Sequence, residues 1–455
     1  MAQYRTDLDI IDPAMRNRYE VMMLADINGF PNDTSHPLPV RLGDSDTITA
    51  FGRGRVATSR LLGEYRYMYG SGTSIEMNDK LAGAGSVSID YTKCVAFGTV
   101  GTASGDRVVR QTKQYHPYIA GTSNLGYITF TMGSPKANLQ QYAGLFDDQN
   151  GIFFRMNGTV AEFGIRKNGV DVEVVDQANW NVDNLLGAGP DESNPSGLDI
   201  DFTKSQILII DYQWLGVGRV RVGFSTRKGP VYCHYFNHAN IVVEPYTAQP
   251  SYPVRWEIKN VGVTASASTL TMICGAVYCE GSESETGFSR SVSTDGNGVL
   301  VNSTAANGGT GILAVRLKNS LVGKENHALA RLKNLALYSN VDVNYKVVIL
   351  PGNSVIAGTP TWSAVPGYSW CEYTKNFTLA TGWQAANNYN VLVDNFVSGG
   401  QGSNTGQTGL YDLDNRSNAI YQNYDSTDSQ ILAIVGFRLG NDATVNASLG
   451  WLEVK

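Results

Sequence analysis

Short alternation dominates this chain. From Gln111 to about Gly281, apolar and polar residues take turns in brief runs bounded by turn signals, the period-two signature of half-buried strands. Tyr127–Met132, Ile152–Met156 and Val160–Arg166 predict successive strands, and Asn157-Gly158 and Asn168-Gly169 predict the hairpin turns that follow the last two. Gln206–Asp211 and Arg219–Phe224 extend the series. In the latter, Val220, Val222 and Phe224 fall on one face and Arg219 and Arg221 on the other, so the expectation is a sheet packed on one side and polar on the other. Strand after strand with no helix between them predicts an antiparallel sandwich of the jelly-roll or lectin-like kind.

A second β-rich unit follows. Glu280–Gly287 is small, acidic and poor in apolar residues, which marks a linker, assigned to 282–287. Beyond it, Ile312–Leu317, Tyr345–Pro351, Tyr389–Val393 and Leu449–Val454 read as strands, while the Gly/Ser-rich stretch Ser398–Gly406 reads as a mobile loop tip. Before residue 110 the pattern is irregular. Asp12 as N-cap, Pro13 at the first helical position and Met15, Tyr19, Met22 and Met23 behind them predict one short helix near 12–25. From Gly29 to Val109, Gly, Pro, Ser and Asp interrupt short β-like pieces such as Arg66–Tyr69 and Val87–Tyr91. The predicted organisation is therefore an N-terminal arm or clasp (1–110), a central β-sandwich (111–281), the linker, and a C-terminal β-sandwich (288–455). Ser205–Leu208 and Ser429–Leu432 share the string Ser-Gln-Ile-Leu, a faint internal echo.

Composition narrows the class. Of 455 residues only 17% are charged, against roughly 25% in an average soluble protein, and 49 are glycine. With 24 tyrosines and a polar complement of Asn, Ser and Thr, the chain suits neutral, hydrogen-bonding sheet faces and excludes a coiled coil or helical bundle. A net charge of −6 and the lack of any Lys/Arg run argue against nucleic acid. No stretch reaches the roughly 18 apolar residues of a membrane span, and Met1–Asp7 lacks the apolar core of a signal peptide, which implies folding in a cytoplasm and no membrane insertion. Five scattered cysteines (Cys94, Cys233, Cys274, Cys279, Cys371) read as reduced and mostly buried.

Chemistry is sparse. His234 and His238 would share a metal on a helix, but they lie in a strand-rich region where that spacing separates them. Asp147-Asp148 and Asp199-Ile200-Asp201 are the nearest approaches to a carboxylate pair; the second, at strand spacing, is flanked by Leu198 and Phe202 in a turn-like setting after Pro195-Ser196-Gly197, where acids favour turn caps or oxygen ligands over a catalytic dyad. Asp295-Gly296-Asn297-Gly298 resembles part of a calcium loop but reads better as a hairpin turn. No nucleophile elbow or phosphate loop occurs. The expectation is a protein with no catalytic residue, no cofactor and no metal. Trp362, Trp370 and Trp383, in the loop-rich last domain, are the candidates for stacking on a sugar.

Several strings together resemble a group of large tailed-bacteriophage virion structural proteins: Ala50–Val56, Gly144–Phe154, Asp211–Phe224 and Pro253–Ile258. The resemblance covers roughly residues 50 to 280, with Trp214-Leu215-Gly216-Val217-Gly218-Arg219-Val220-Arg221 its most specific part. It implies a β-rich virion component, made in the bacterial host cytoplasm, that partners with itself and with other virion proteins. A tail, baseplate or fibre-attachment role is the first expectation, and capsid decoration or a head fibre the second. The competing expectation is a host-surface carbohydrate-binding or glycan-cleaving module.

Overall fold

A computed structural model of the chain describes residues 49–50, 54, 58–69, 76–187, 189–280, 287–385, 389–399, 402–403, 419–423 and 427–454. The helix expected near 12–25 lies outside the described residues, as do 281–286 of the linker region and most of the loop tip at 398–406. What is described is nearly all β. In chain order the first set of strands is β1 (Ser59–Arg66), β2 (Met77–Ala82), β3 (Ser86–Asp90), β4 (Val95–Val100), β5 (Arg107–Thr112), β6 (Ser123–Thr131), β7 (Leu139–Phe146) and β8 (Gly151–Asn157). It continues with β9 (Val160–Lys167), β10 (Val170–Asp176), β11 (Gln206–Tyr212), β12 (Val220–Thr226), β13 (Gly229–Phe236), β14 (Val254–Asn260) and β15 (Ser268–Glu280). These strands make two antiparallel sheets, β13-β12-β11-β6-β15-β4-β3 with β1 also on β15, and β10-β9-β8-β7-β14-β5-β2.

The alternation read from the sequence sets the inner faces. Ile128 and Phe130 of β6, Ile152 and Phe154 of β8, Leu208 and Ile210 of β11, Val220, Val222 and Phe224 of β12, and Val254, Trp256 and Ile258 of β14 all enter one buried cluster. Phe154, Phe163, Phe202, Phe224 and Trp180 meet at its centre with ring centroids 4.4 to 6.3 Å apart. Asn168 and Gly169 both adopt positive φ, as a type I′ turn requires between β9 and β10. The β8–β9 turn falls one residue later than predicted, on Gly158-Thr159, because Asn157 still pairs with Val160.

Two expectations change. The arm assigned to 1–110 is, from residue 59 onward, part of the sandwich: β1 pairs with β15, β2 with β5, and Leu62, Tyr65, Tyr67 and Met77 belong to the same core. Short Gly- and Ser-rich runs carry little local signal, and β1 finds its partner β15 only at the far end of the first sandwich. Nor is the outer face beside β12 solvated. Arg221 is fully buried in an ion pair with Asp211, its guanidinium 4.4 Å from the Tyr232 ring, and Arg219 lies over Tyr235.

The second set is β16 (Gly287–Ser293), β17 (Val299–Val301), β18 (Thr310–Leu317), β19 (Ser320–Leu321), β20 (Lys324–Glu325), β21 (Leu329–Ser339) and β22 (Val343–Leu350). Then come β23 (Ser363–Ala364), β24 (Cys371–Phe377), β25 (Asn390–Val397), β26 (Gly402–Ser403), β27 (Ala419–Ile420), β28 (Ile431–Arg438) and β29 (Ala443–Val454). One sheet runs β16-β29-β21-β26, with β17 on β29 and β27 on β21; the other runs β23-β24-β18-β28-β22-β25. The latter is buried on both faces at its central strands β18, β28 and β22. Leu432 and Ile434 of β28 enter the inter-sheet core, while Ile431, Ala433, Val435 and Phe437 pack under Val355, Ile356, Leu379 and Trp383 of the 353–385 segment. That explains why β28 reads as a continuous apolar run instead of an alternating one. Both sandwiches belong to a single compact unit, Thr49–Lys455.

Candidate functional site

The three tryptophans expected to stack on sugar do not form a platform. Trp383 is buried, donates its indole N–H to the Gly308 carbonyl at 2.7 Å, and plugs the apolar layer over β28. Trp370 is buried edge-on to Phe288, and its backbone N–H donates to the Glu453 carboxylate at 3.1 Å. Trp362 keeps partial exposure, but the Arg316 guanidinium covers its ring at 4.1 Å. Burial removes the first two from any ligand, so the expected stacking role is withdrawn for them. The remaining candidates are committed locally. His234 Nδ1 accepts the Asn181 N–H, whereas His238 bonds to the Gly218 carbonyl and to Glu173. Asp201 caps its own turn through Thr203, and Asp295, at positive φ, pairs with exposed Lys375. Among the described residues, no three His, Cys, Asp or Glu side chains are grouped to hold a metal ion.

The adjacent acids Asp147 and Asp148 diverge. They sit in the four-residue turn between β7 and β8, where Asp147 Oδ1 accepts the N–H groups of Gln149 (2.7 Å) and Asn150 (2.6 Å). Asp148 turns to the outer face of the seven-stranded sheet and pairs with Arg107 (3.0 Å) and Arg255 (2.7 Å). There Tyr142, Phe146 and Phe153 form an aromatic floor, and Arg155, Arg166 and Arg255 lie over it at 4.9 to 5.6 Å. Each guanidinium is tied down in turn: Arg155 to Glu162 and Asp171, Arg166 to Asp171, and Arg255 to Glu257. Burial alone would raise the Glu257 carboxyl, yet the charges of Arg255, Arg107 and Lys259 prevail and hold it at about 2. This face is a second, ionic core whose charges satisfy one another.

Asp147 instead faces a cleft of about 330 Å³ where the two sandwiches meet. The first sandwich contributes Asp147, Gln149 and Asn150 from the β7–β8 turn, Asn168 from the β9–β10 turn, and Ala248 and Gln249. The second contributes Gly323, Lys324 and Glu325 from the β19–β20 hairpin, and His327. His327 stacks on Tyr115 across the junction, with centroids 3.9 Å apart and planes 6° from parallel. Its Nε2 lies 3.1 Å from Glu325 and 3.9 Å from Asp147, to which Tyr115 donates its hydroxyl at 3.0 Å. Burial, reinforced by the Asp147 charge, pushes the Tyr115 phenol well above its ordinary value, so it stays a donor. Asn326 fixes the position of His327 by donating to the carbonyls of Lys318 and Trp370. Sequence reasoning missed this grouping. Its visible signals were the Asp-Asp-Gln-Asn and Asn-Gly turns, but nothing local ties them to His327 in the other sandwich.

No family model matches the sequence, and no curated protein matches it. Solved structures overlap part of the chain. A legume lectin-like domain from Entamoeba histolytica is 11% identical, over 44% of this chain and 89% of that one, with a TM-score of 0.26. Peanut lectin with a bound nine-residue peptide gives 10%, 49%, 98% and 0.29. A protein of unknown function from Shewanella oneidensis MR-1 gives 11%, 53%, 94% and 0.31. At such TM-scores the overlaps carry no functional argument, and the sandwich architecture rests on the chain's own strands.

Proposed function

We propose that the chain is a non-enzymatic structural component of a bacteriophage particle, in the tail, baseplate or a fibre attachment, and that it works as a homo-oligomer. The observation that carries this reading is where the virion-like strings fall. Gly144–Phe154 is the β7–β8 hairpin with its Asp147 turn, Asp211–Phe224 is the β11–β12 pair with the buried Asp211–Arg221 ion pair, and Pro253–Ile258 enters β14 at the centre of its sheet. The likeness lies in framework positions, which is what a shared scaffold without shared chemistry leaves behind. Assembly is supported by β10, an edge strand among the described residues, whose Val170, Val172 and Val174 stand exposed beside a ladder that no described strand pairs with. Capsid decoration is the second placement within the same class.

Antibody labelling of purified particles in the electron microscope tests the placement: label on the tail or baseplate is expected, and particles free of label overturn the reading. Light scattering of the full chain tests the oligomer. A defined multimer is expected, reduced by Val172→Lys, whereas a monomer at high concentration overturns it.

A further inference from the structure

We propose that the cleft between the sandwiches binds a neutral, polyhydroxylated ligand of single-ring size, a pyranose unit of a glycan. The inference does not rest on the virion reading; it stands on what lines the cleft. A volume of about 330 Å³ is at the small end of ligand sites, which run from roughly 300 to 1,000 Å³. Such sites are mostly apolar, yet here, among the described residues, Ala248 is the one apolar side chain in a lining of amides, acids, a lysine and a histidine. An apolar ligand would strip water from those groups and return nothing.

Charge excludes other small ligands. Asp147 and Glu325 outnumber Lys324, and His327 directs its Nε2 at both acids, so an anion meets a repulsive wall. A cation finds no cage, because Asp147 spends Oδ1 on two backbone amides and Oδ2 on the Tyr115 hydroxyl. What remains is a partner that both donates and accepts at closely spaced points, as vicinal hydroxyls do. Asn150 is the built element. It is only 5% exposed; its Oδ1 accepts the backbone N–H groups of Ala248 (3.0 Å) and Asn168 (3.4 Å), while its Nδ2 has no protein partner among the described residues. That amide can donate to one hydroxyl while the exposed Glu325 carboxylate accepts from the next, with Asn168 and Lys324 at the rim. Because the walls come from both sandwiches, neither makes the site alone.

The test uses the full chain and the methyl α-glycosides of glucose, galactose, mannose, rhamnose and N-acetylglucosamine, read by saturation-transfer NMR and calorimetry. At least one glycoside is expected to bind saturably. Glu325→Ala and Asn168→Gly should each weaken it about tenfold or more, the worth of one charge-assisted hydrogen bond or its amide counterpart, at an unchanged melting temperature. Glycine suits the positive φ of Asn168, so the turn survives that change. Trp362→Ala, away from the cleft, should leave binding intact. Saturation by none of the five, or binding undiminished in both cleft variants, overturns the inference, and neither result bears on whether the chain is found in a particle.

Discussion

His234 shows how one buried side chain sets a pH dependence. Desolvation holds its imidazole at about 4, against an ordinary 6.5. The Asn181 N–H donated to Nδ1 reinforces the neutral form, because protonation would put a hydrogen where that bond is accepted. The unfolded chain therefore takes up a proton between pH 6.5 and 4 that the folded chain refuses, and stability falls as the pH drops through that window. Glu257 works at lower pH: held at about 2 against 4.5, it stabilises the fold above pH 4.5 and loses that contribution as the pH falls toward 2. Comparing urea midpoints at pH 7 and pH 5 separates the two groups. His234→Gln, which keeps an acceptor for Asn181, should shrink the loss between those pH values; an unchanged loss would overturn its assignment to His234.

The β7–β8 hairpin is the element on which framework and cleft both depend. Gly151 adopts φ +136, and a Cβ there would lie 2.3 Å from the Phe146 Cα and 2.4 Å from the Leu145 carbonyl oxygen. No side chain fits without opening the turn that Asp147 closes. Gly151→Ala should cost about 3 kcal/mol, combining a strained dihedral with overpacking, as measured by denaturant unfolding. It should also abolish glycoside binding in whatever fraction stays folded, since Asp147, Gln149 and Asn150 move with the turn. The alternation made β8 and β9 legible from sequence, and Asn168-Gly169 the turn after them, whereas β7, Leu-Gln-Gln-Tyr-Ala-Gly-Leu-Phe, shows no such pattern. The same is true of β1 and β2. Their residues look like loop because polar residues interrupt them, and β1 joins the core beside β15 at the far end of the domain while β2 pairs with the nearer β5.

At the scale of the molecule, the two sandwiches keep separate cores, yet they meet through polar groups. Tyr115 and His327 stack across the junction, and Lys113, pushed down to about 8 by burial, is partly restored by Asp428 of the second sandwich. Separate cores predict that residues 49–280 fold alone. That fragment should unfold in one cooperative transition at a lower temperature than the full chain, having lost the His327 stack; a fragment without a cooperative transition would show that the two cores act as one. The same fragment should bind no glycoside, because Glu325 and His327 are absent. By itself the sequence determined the all-β class, the Asn168-Gly169 turn and the inward-facing residues of its alternating strands, because period and turn chemistry are local properties of a chain. Which strands became neighbours, that Asp147 and Asp148 part company, that Arg221 is buried, that Trp370 and Trp383 lie under the surface and that His327 reaches Tyr115 were decided only by the tertiary structure. Each depends on surfaces distant in sequence excluding water together, and no local pattern encodes that.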